Sequence, residues 1–245
     1  MTIITIERIF CPHCDGEMQN MVGASGNSFG SRLWTDGYLF APMLQPYARA
    51  ILCPHCDEAF FREDAREVDR YSPDGEAGQW DRFIVKHDGP PLVSDGGLPA
   101  YRALLDKTRD RERLRYLRTR IWHVQNDRIR EEHEKALEEL RDRSGPFRRR
   151  FRPAREPEGS REEPTVLDEG YAENLRALVE LLDDTPEERL TKAEIHRELG
   201  MFDRAVEIAR TVSGELEWVA RQIIALAEAG DARVAVLRRP GDDDD

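Results

Sequence analysis

The sequence has no run of the roughly 18 to 20 consecutive apolar residues that a membrane-spanning helix needs. Its first ten residues, MTIITIERIF, also lack the basic stretch and long apolar core of a secretory signal. We therefore expect a cytoplasmic protein that does not bind a membrane. Apolar residues are scarce in general, because 35% of the 245 residues are charged and the mean hydropathy is -0.68. Such a chain is expected to concentrate its apolar residues in a few folded segments joined by polar linkers.

Positive charge is in deficit overall but not everywhere. The net charge of -12 disfavours binding of nucleic acid over the whole surface, because a negative field repels a polyanion. Residues 98–155 nevertheless carry 18 basic and 10 acidic side chains. Residues 1–97 carry 8 basic and 15 acidic side chains, and residues 156–245 carry 11 basic and 24 acidic ones. This basic segment can pair with the acidic ends of its own chain or with a partner.

Cysteine is rare, and its placement is the most specific signal in the sequence. The four cysteines form two Cys-Pro-His-Cys motifs, which begin at Cys11 and Cys53. Two thiolates separated by two residues can bind one metal ion, because the turn between them directs both sulfurs inward. A single pair could instead be a redox dithiol, but two matched pairs favour a shared structural site. We therefore predict one structural zinc ion per chain, bound by Cys11, Cys14, Cys53 and Cys56.

The residues around the cysteines refine this prediction. His13 and His55 could in principle bind the metal, but four thiolates already complete a tetrahedron, so we expect both rings to point away. The position after each motif usually holds glycine, because it needs a left-handed backbone; here it holds Asp15 and Asp57, a residue type that tolerates this conformation. A shell of four protein ligands leaves no site for a catalytic water. No other group of residues in the sequence predicts an active site, so we expect no enzymatic activity.

The N-terminal residues indicate a small β domain. Apolar, strand-forming residues precede the first motif and flank the second, at 50–52 and 59–61. Between the motifs, Asp36-Gly37 lies between two apolar triplets and predicts a tight hairpin. We assign residues 1–71 to a zinc-ribbon-like β domain.

A different composition follows in the middle of the chain. Residues 72–99 are rich in proline and glycine and predict a linker. Residues 100–143 predict an arginine-rich helical segment with one apolar stripe, which we expect to be broken near Asn126. Residues 144–165 have almost nothing to bury and are typical of a disordered connector.

The C-terminal third predicts short helices over residues 166–239. Thr185 and Pro186 are typical of the start of a helix, and Gly200 is typical of its end. Residues 240–245 predict an acidic, solvated tail.

At its cysteine motifs the sequence resembles the zinc-ribbon superfamily, and more narrowly a set of bacterial proteins that join a two-knuckle ribbon to helices. The segments SGNSFG at 25–30 and LWTDG at 33–37 are part of this likeness, which implies a fold and a metal but no activity. Residues 193–205 also resemble one tetratricopeptide hairpin, which implies a peptide-binding surface. A repeat array needs about three units, so a plain helical hairpin in a small bundle is the alternative. The candidate contacts for a protein partner are His196, Phe202 and Arg204.

The sequence as a whole predicts an α+β protein: a zinc-ribbon-like β module, an arginine-rich helix and a tetratricopeptide-like helical module. We expect a non-enzymatic adaptor or assembly protein that binds another protein. The alternative is a nucleic-acid-associated factor that uses the basic segment 98–155, where guanidinium groups can contact phosphates and Phe147 can stack on bases. The candidate residues for nucleic acid or an acidic partner are Arg148, Arg149, Arg150 and Arg152.

Overall fold

The computed structural model describes residues 3–44, 47–71, 90–143 and 169–239. Six α-helices and eight short strands lie within these residues, which confirms the predicted α+β class. The strands are β1 (Ile3–Phe10), β2 (Glu17–Ser25), β3 (Arg32–Leu33), β4 (Leu39–Phe40), β5 (Ala50–Leu52), β6 (Ala59–Phe61), β7 (Arg66–Tyr71) and β8 (Leu92–Val93). The helices are α1 (Gly97–Lys107), α2 (Arg111–Arg143), α3 (Glu169–Val179), α4 (Pro186–Glu198), α5 (Phe202–Ala209) and α6 (Glu217–Glu228).

Several predicted features lie outside the described residues. They are the connector 144–165 with Arg148, Arg149, Arg150 and Arg152, the acidic tail 240–245, and residues 72–89 of the predicted linker. Of the six helices described, none combines the length and the apolar composition needed to cross a membrane.

The chain forms two compact units. The first consists of Met1–Arg32 and Leu39–Arg120, and the second of Leu33–Tyr38 and Ile121–Asp245. This division differs from the predicted segments in two respects. The short segment Leu33–Tyr38 groups with the helices and not with the strands that flank it in sequence, and the predicted helical segment 100–143 is divided after Arg120.

A four-stranded sheet forms the centre of the first unit. Its strand order is β7-β1-β2-β8, with β1 antiparallel to β2 and β7, and with β2 parallel to β8. Alternation along the strands places Ile9 and Met18 opposite each other on one face. They join a buried cluster with Ile51, Phe60 and Val93 that also contains two of the cysteines. Each such apolar side chain contributes about 1.5 to 3 kcal/mol to stability when fully buried. The cluster therefore stabilises the part of the fold that contains Cys11 and Cys53.

The predicted hairpin at Asp36-Gly37 is confirmed. Strands β3 and β4 pair, the Trp34 N–H donates to the Tyr38 carbonyl at 2.9 Å, and Gly37 has a φ of 77°. The tip also makes contacts within the second unit, because the Thr35 N–H donates to the carbonyl of Ala235 at 2.8 Å. No local pattern could predict a pairing of residues so far apart in sequence.

The predicted break of the long helix near Asn126 is wrong. Helix α2 is continuous through this residue, and the interruption lies earlier, between α1 and α2. There the Asp110 carboxylate accepts the Arg113 N–H at 2.8 Å and caps the start of α2. The Asn126 amide does not disturb the helix, because it donates to side chains of other segments, including Asp36 at 3.0 Å.

Helix α4 begins and ends as predicted. The Thr185 hydroxyl accepts the Glu188 N–H at 3.3 Å, Pro186 is the first residue of α4, and Gly200 has a φ of 72° just after the helix. Ala193 of α4 and Ala205 of α5 are both fully buried. Small side chains at these positions let the two helices approach closely.

Candidate metal centre

The two Cys-Pro-His-Cys motifs occupy equivalent places in the first unit. The first joins β1 to β2 and the second joins β5 to β6, so each lies at the tip of a hairpin. The Cys11 N–H donates to the Gly16 carbonyl at 3.0 Å, and the Asp15 N–H donates to the Cys11 carbonyl at 3.0 Å. Cys53 and Asp57 donate the two corresponding bonds in the second motif, at 3.0 and 2.9 Å. The same local sequence has therefore built the same turn twice.

The residue after each motif is left-handed, as predicted. Asp15 has a φ of 55° and Asp57 a φ of 58°, and they are the only non-glycine residues with positive φ in the described ranges. A left-handed backbone costs an ordinary L-residue roughly 1 to 2 kcal/mol, and Asp tolerates it better than most. This conformation turns the chain after each motif, where the carbonyl of the next residue, Gly16 or Glu58, accepts the N–H of the first cysteine.

The four sulfur atoms converge. The Sγ atoms of Cys11 and Cys56 are 3.9 Å apart, those of Cys14 and Cys53 are 3.7 Å apart, and all four lie within 4.8 Å of one another. A tetrahedral zinc ion with Zn–S bonds of about 2.3 Å places its ligands roughly 3.8 Å apart. The four predicted ligands therefore fit a single tetrahedral metal ion.

Backbone amides support the sulfurs. The N–H groups of His13 and His55 donate to the Sγ atoms of Cys11 and Cys53, each at 3.4 Å. Such bonds orient a thiolate ligand and stabilise its charge. Cys11 and Cys53 are buried, at 1% and 0% exposure, whereas Cys14 is exposed. Burial raises the pKa of the Cys53 thiol to about 12, because an apolar environment disfavours the thiolate. A metal cation provides the opposite charge that such a thiolate needs.

The histidine rings lie outside the sulfur cluster. Nε2 of His55 is 2.8 Å from the Glu17 carbonyl oxygen, and the His13 side chain is exposed. The His55 ring packs so closely on Gly16 that a Cβ atom there would lie 2.3 Å from His55 Cδ2. Glycine at position 16 therefore lets the His55 ring take this position beside the cluster.

The predicted protein-contact residues lie at the junction of α4 and α5. Arg204 is exposed and bonds Glu207 at 2.6 Å, whereas His196 and Phe202 are half-buried. The pKa of His196 is lowered by burial and by the nearby charges of Arg204 and Lys192. His196 is thereby favoured in its neutral form.

Sequence reasoning missed a second group of functional candidates, which lies in the second unit. We call it the Glu198 cluster. It contains Asp36, Trp122, Asn126, Arg130, Tyr171 and Glu198, all buried and joined by hydrogen bonds. One signal was available: Trp122, Asn126 and Arg130 recur at every fourth residue and so share one face of α2. Polar residues in such a row indicate that the face contacts other polar groups.

Within the described part of the chain, the cysteine cluster is the one group of Cys, His, Asp and Glu side chains with the spacing of a metal site. Its ligands come from two hairpin tips with the same backbone geometry, and their sulfurs have the separation of a tetrahedron. The chain matches no protein-family model, no curated protein and no solved structure. Its function is therefore inferred from the chemistry of its own residues.

Proposed function

We propose that this chain is a non-enzymatic adaptor or assembly protein that holds one structural zinc ion and binds another protein through its C-terminal helices. The convergence of four cysteine sulfurs carries this proposal. Four protein ligands fill a tetrahedral shell and leave no position for a water or a substrate. A metal in this shell stabilises the fold of the first unit and does not take part in a reaction.

Zinc is the metal that the ligand set favours. Thiolates are soft ligands, and four of them in a tetrahedron suit Zn²⁺ or iron, whereas Mg²⁺ and Ca²⁺ need oxygen ligands. The two hairpin tips bring their cysteines together across 38 intervening residues, between Cys14 and Cys53. The metal would cross-link the first hairpin to the second, whose strands β5 and β6 contain only three residues each. Metal binding and folding are coupled in small sites of this kind.

The helical hairpin of α4 and α5 supports a role in protein binding. Its interior is filled by small residues, and Ala193, Ala205 and Ala209 are fully buried. The half-buried Phe202 and the exposed Arg204 lie at the start of α5. Partly exposed aromatic residues and arginines are the side chains most enriched at the centres of protein interfaces.

The ion pairs of α2 favour the adaptor over the nucleic-acid alternative. Arg113 pairs with Asp64 at 2.6 Å, and Arg130 pairs with Asp36. A guanidinium group that is engaged with a carboxylate of its own chain is not available for a phosphate. The alternative therefore relies on the other basic residues of segment 98–155, among them Arg148, Arg149, Arg150 and Arg152, which lie outside the described residues.

The metal proposal is tested by elemental analysis of the full-length chain purified without added metal. One zinc per chain is expected, with four sulfur neighbours by X-ray absorption. Cys53→Ser should lose the zinc and unfold the strands around the site, whereas α3 to α6 should keep their helical signal. His13→Ala is the matched control, because this exposed residue lies in a motif but outside the sulfur cluster. A metal content near zero, iron in place of zinc, or a histidine in the shell would contradict the proposal.

The adaptor proposal is tested by cross-linking the full-length chain to its partners in cells and identifying them by mass spectrometry. A specific protein partner should be lost with Arg204→Glu and retained with Arg210→Glu, an arginine that is also exposed and lies at the end of the same helix. The nucleic-acid alternative is tested with a labelled oligonucleotide. Binding that weakens steeply with salt, and that charge reversal at Arg148, Arg149 and Arg150 abolishes, would replace the adaptor proposal.

A further inference from the structure

Three carboxyl groups but only two guanidinium groups are buried around the junction of α4 with α2 in the second unit. The acids are Asp36, Glu194 and Glu198, and the bases are Arg130 and Arg197. Both bases are already engaged. Arg130 forms an ion pair with Asp36, and Arg197 forms one with Glu194 at 2.5 Å. One carboxyl group, that of Glu198, is therefore in excess.

Glu198 is bonded to neutral groups. Its Oε2 atom lies 2.9 Å from Trp122 Nε1, 3.2 Å from Asn126 Nδ2 and within hydrogen-bond distance of the Tyr171 hydroxyl. Its side chain is buried, at 2% exposure. A charged carboxylate so deeply buried and bonded only to neutral donors is costly, because desolvation is not offset by a paired cation.

The count of hydrogens also favours a neutral Glu198. The Tyr171 hydroxyl lies 3.3 Å from Asn126 Oδ1 as well as beside Glu198 Oε2, but it has one hydrogen to donate. If Glu198 is ionised, the Tyr171 O–H donates to it, and Asn126 Oδ1 loses that donor. If Glu198 carries a proton, its O–H donates to the Tyr171 oxygen, and the Tyr171 O–H donates to Asn126 Oδ1. The neutral acid therefore satisfies every oxygen in this chain of bonds.

We propose that Glu198 is a buried neutral carboxylic acid at neutral pH, and that its ionisation loosens the junction that holds α2, α3, α4 and the turn Leu33–Tyr38 together. The Glu198 cluster then acts as a pH-sensitive joint within the second unit. Raising the pH removes one proton, leaves Asn126 without its donor and adds a negative charge beside two others.

Burial and the neighbouring carboxylates of Glu198 act in the direction this requires. Burial, and then the negative charges of Glu194 on its own helix and Asp36 on the turn, raise the pKa of Glu198 to about 8. Arg197 and the hydrogen bond from Tyr171 oppose this shift. Arg130 and His123 of α2 contact the turn through Asp36, and Arg130 neutralises the Asp36 carboxylate.

The sign of the pH dependence follows from the raised pKa. An unfolded glutamate has a pKa of 4.5, so between this value and about 8 the folded chain binds one more proton than the unfolded chain. The contribution of Glu198 to the free energy of unfolding is complete below pH 4.5 and is lost as the pH rises through about 8. Within this window the equilibrium for opening the junction should increase about tenfold per pH unit.

Infrared spectroscopy of the full-length chain tests the protonation directly. Glutamate labelled with ¹³C shifts the carbonyl band of a protonated glutamic acid and so separates it from aspartic acid. The wild type should show one such band at pH 6, the band should disappear as the pH is raised through 8, and Glu198→Gln should lack it. This measurement needs no variant to decide the question, since absence of the band in the wild type at pH 6 would overturn the proposal.

Amide hydrogen exchange tests the loosening. Peptides from α3 and α4 should open more readily as the pH rises from 6 to 9, after correction for the pH dependence of exchange itself. Glu198→Gln keeps the size of the side chain and cannot ionise, so this variant should show no such rise. Glu207→Gln is the matched control, since it removes an equal charge from an exposed site of α5 and should keep the wild-type response. A rise that persists unchanged in Glu198→Gln would also overturn the proposal.

Discussion

Two ion pairs of the second unit have the same sequence spacing and nearly the same length but differ in burial, and this permits a test of what burial contributes. Glu194–Arg197 in α4 and Arg204–Glu207 in α5 both join residues three apart on one helix, at 2.5 and 2.6 Å. The first pair is fully buried, whereas the side chains of the second are 52% and 67% exposed. The perturbation is the same in each: glutamate to glutamine, which removes the charge and keeps the shape.

The expected losses of stability differ, because water can solvate the remaining arginine of the exposed pair but not that of the buried pair. In Glu194→Gln the Arg197 guanidinium keeps its bonds to the Arg233 carbonyl at 2.9 Å and to the Asp231 carbonyl, but its charge has lost its partner. Breaking one side of a buried pair typically costs about 3 to 5 kcal/mol. In Glu207→Gln the Arg204 head group returns to solvent, and the cost should be about 0 to 1 kcal/mol.

Urea denaturation followed by far-UV circular dichroism measures both variants. With a urea dependence of about 1 to 3 kcal/mol per molar, the Glu194→Gln midpoint should fall by at least about 1 M, and that of Glu207→Gln should barely move. Equal shifts for the two variants would refute the reasoning. A decrease of less than about 1 kcal/mol in the free energy of unfolding of Glu194→Gln would mean that another carboxylate compensates the charge of Arg197. Glu198 is the candidate, because its charge interacts with that of Arg197.

Three further predictions concern packing and backbone. Ala205→Leu should destabilise the α4–α5 hairpin by about 1 to 3 kcal/mol in urea denaturation, because this fully buried site has no room for added atoms. Asp57→Ala should lower the thermal stability of the zinc-loaded chain, and Asp57→Gly should not, because alanine at a φ of 58° is strained by roughly 1 to 2 kcal/mol. Gly16→Ala should weaken zinc binding in competition with a chromogenic chelator, because its Cβ would lie 2.3 Å from the His55 ring.

Sequence was sufficient wherever structure is decided by a few neighbouring residues. The cysteine motifs predicted a converging sulfur cluster, because the turn that each motif forms is local. Asp15 and Asp57 were placed in the left-handed region from their position after the motifs, and Thr185 was identified as a helix cap from its own local pattern. Each turn and the helix cap depend on a few consecutive residues, whereas the meeting of the two motifs was inferred from the four ligands that one tetrahedral metal ion needs.

Sequence was not sufficient where the structure around a residue depends on contacts with residues that are distant in sequence. Asparagine is a poor helix former, so Asn126 suggested a helix break. Its amide is instead bonded to Asp36 and Glu198, which are 90 and 72 residues away. The carboxyl of Glu198 could not be recognised as buried from the polar sequence around it, since α4 has charged residues on several sides. Such groups are found only when the tertiary contacts that satisfy them are known.

The turn Leu33–Tyr38 has a consequence for the order in which this protein can fold. Its Thr35 hydroxyl accepts the N–H of Ala235, a residue that leaves the ribosome 200 positions later. The strands on either side of the turn can pair early, but the second unit must wait until nearly all of the described chain has been made. Closing so long a loop is slow compared with forming helices. During synthesis, Arg197 can pair with Glu194 of its own helix, but the carbonyl groups of Asp231 and Arg233 that also accept its hydrogen bonds are made only later.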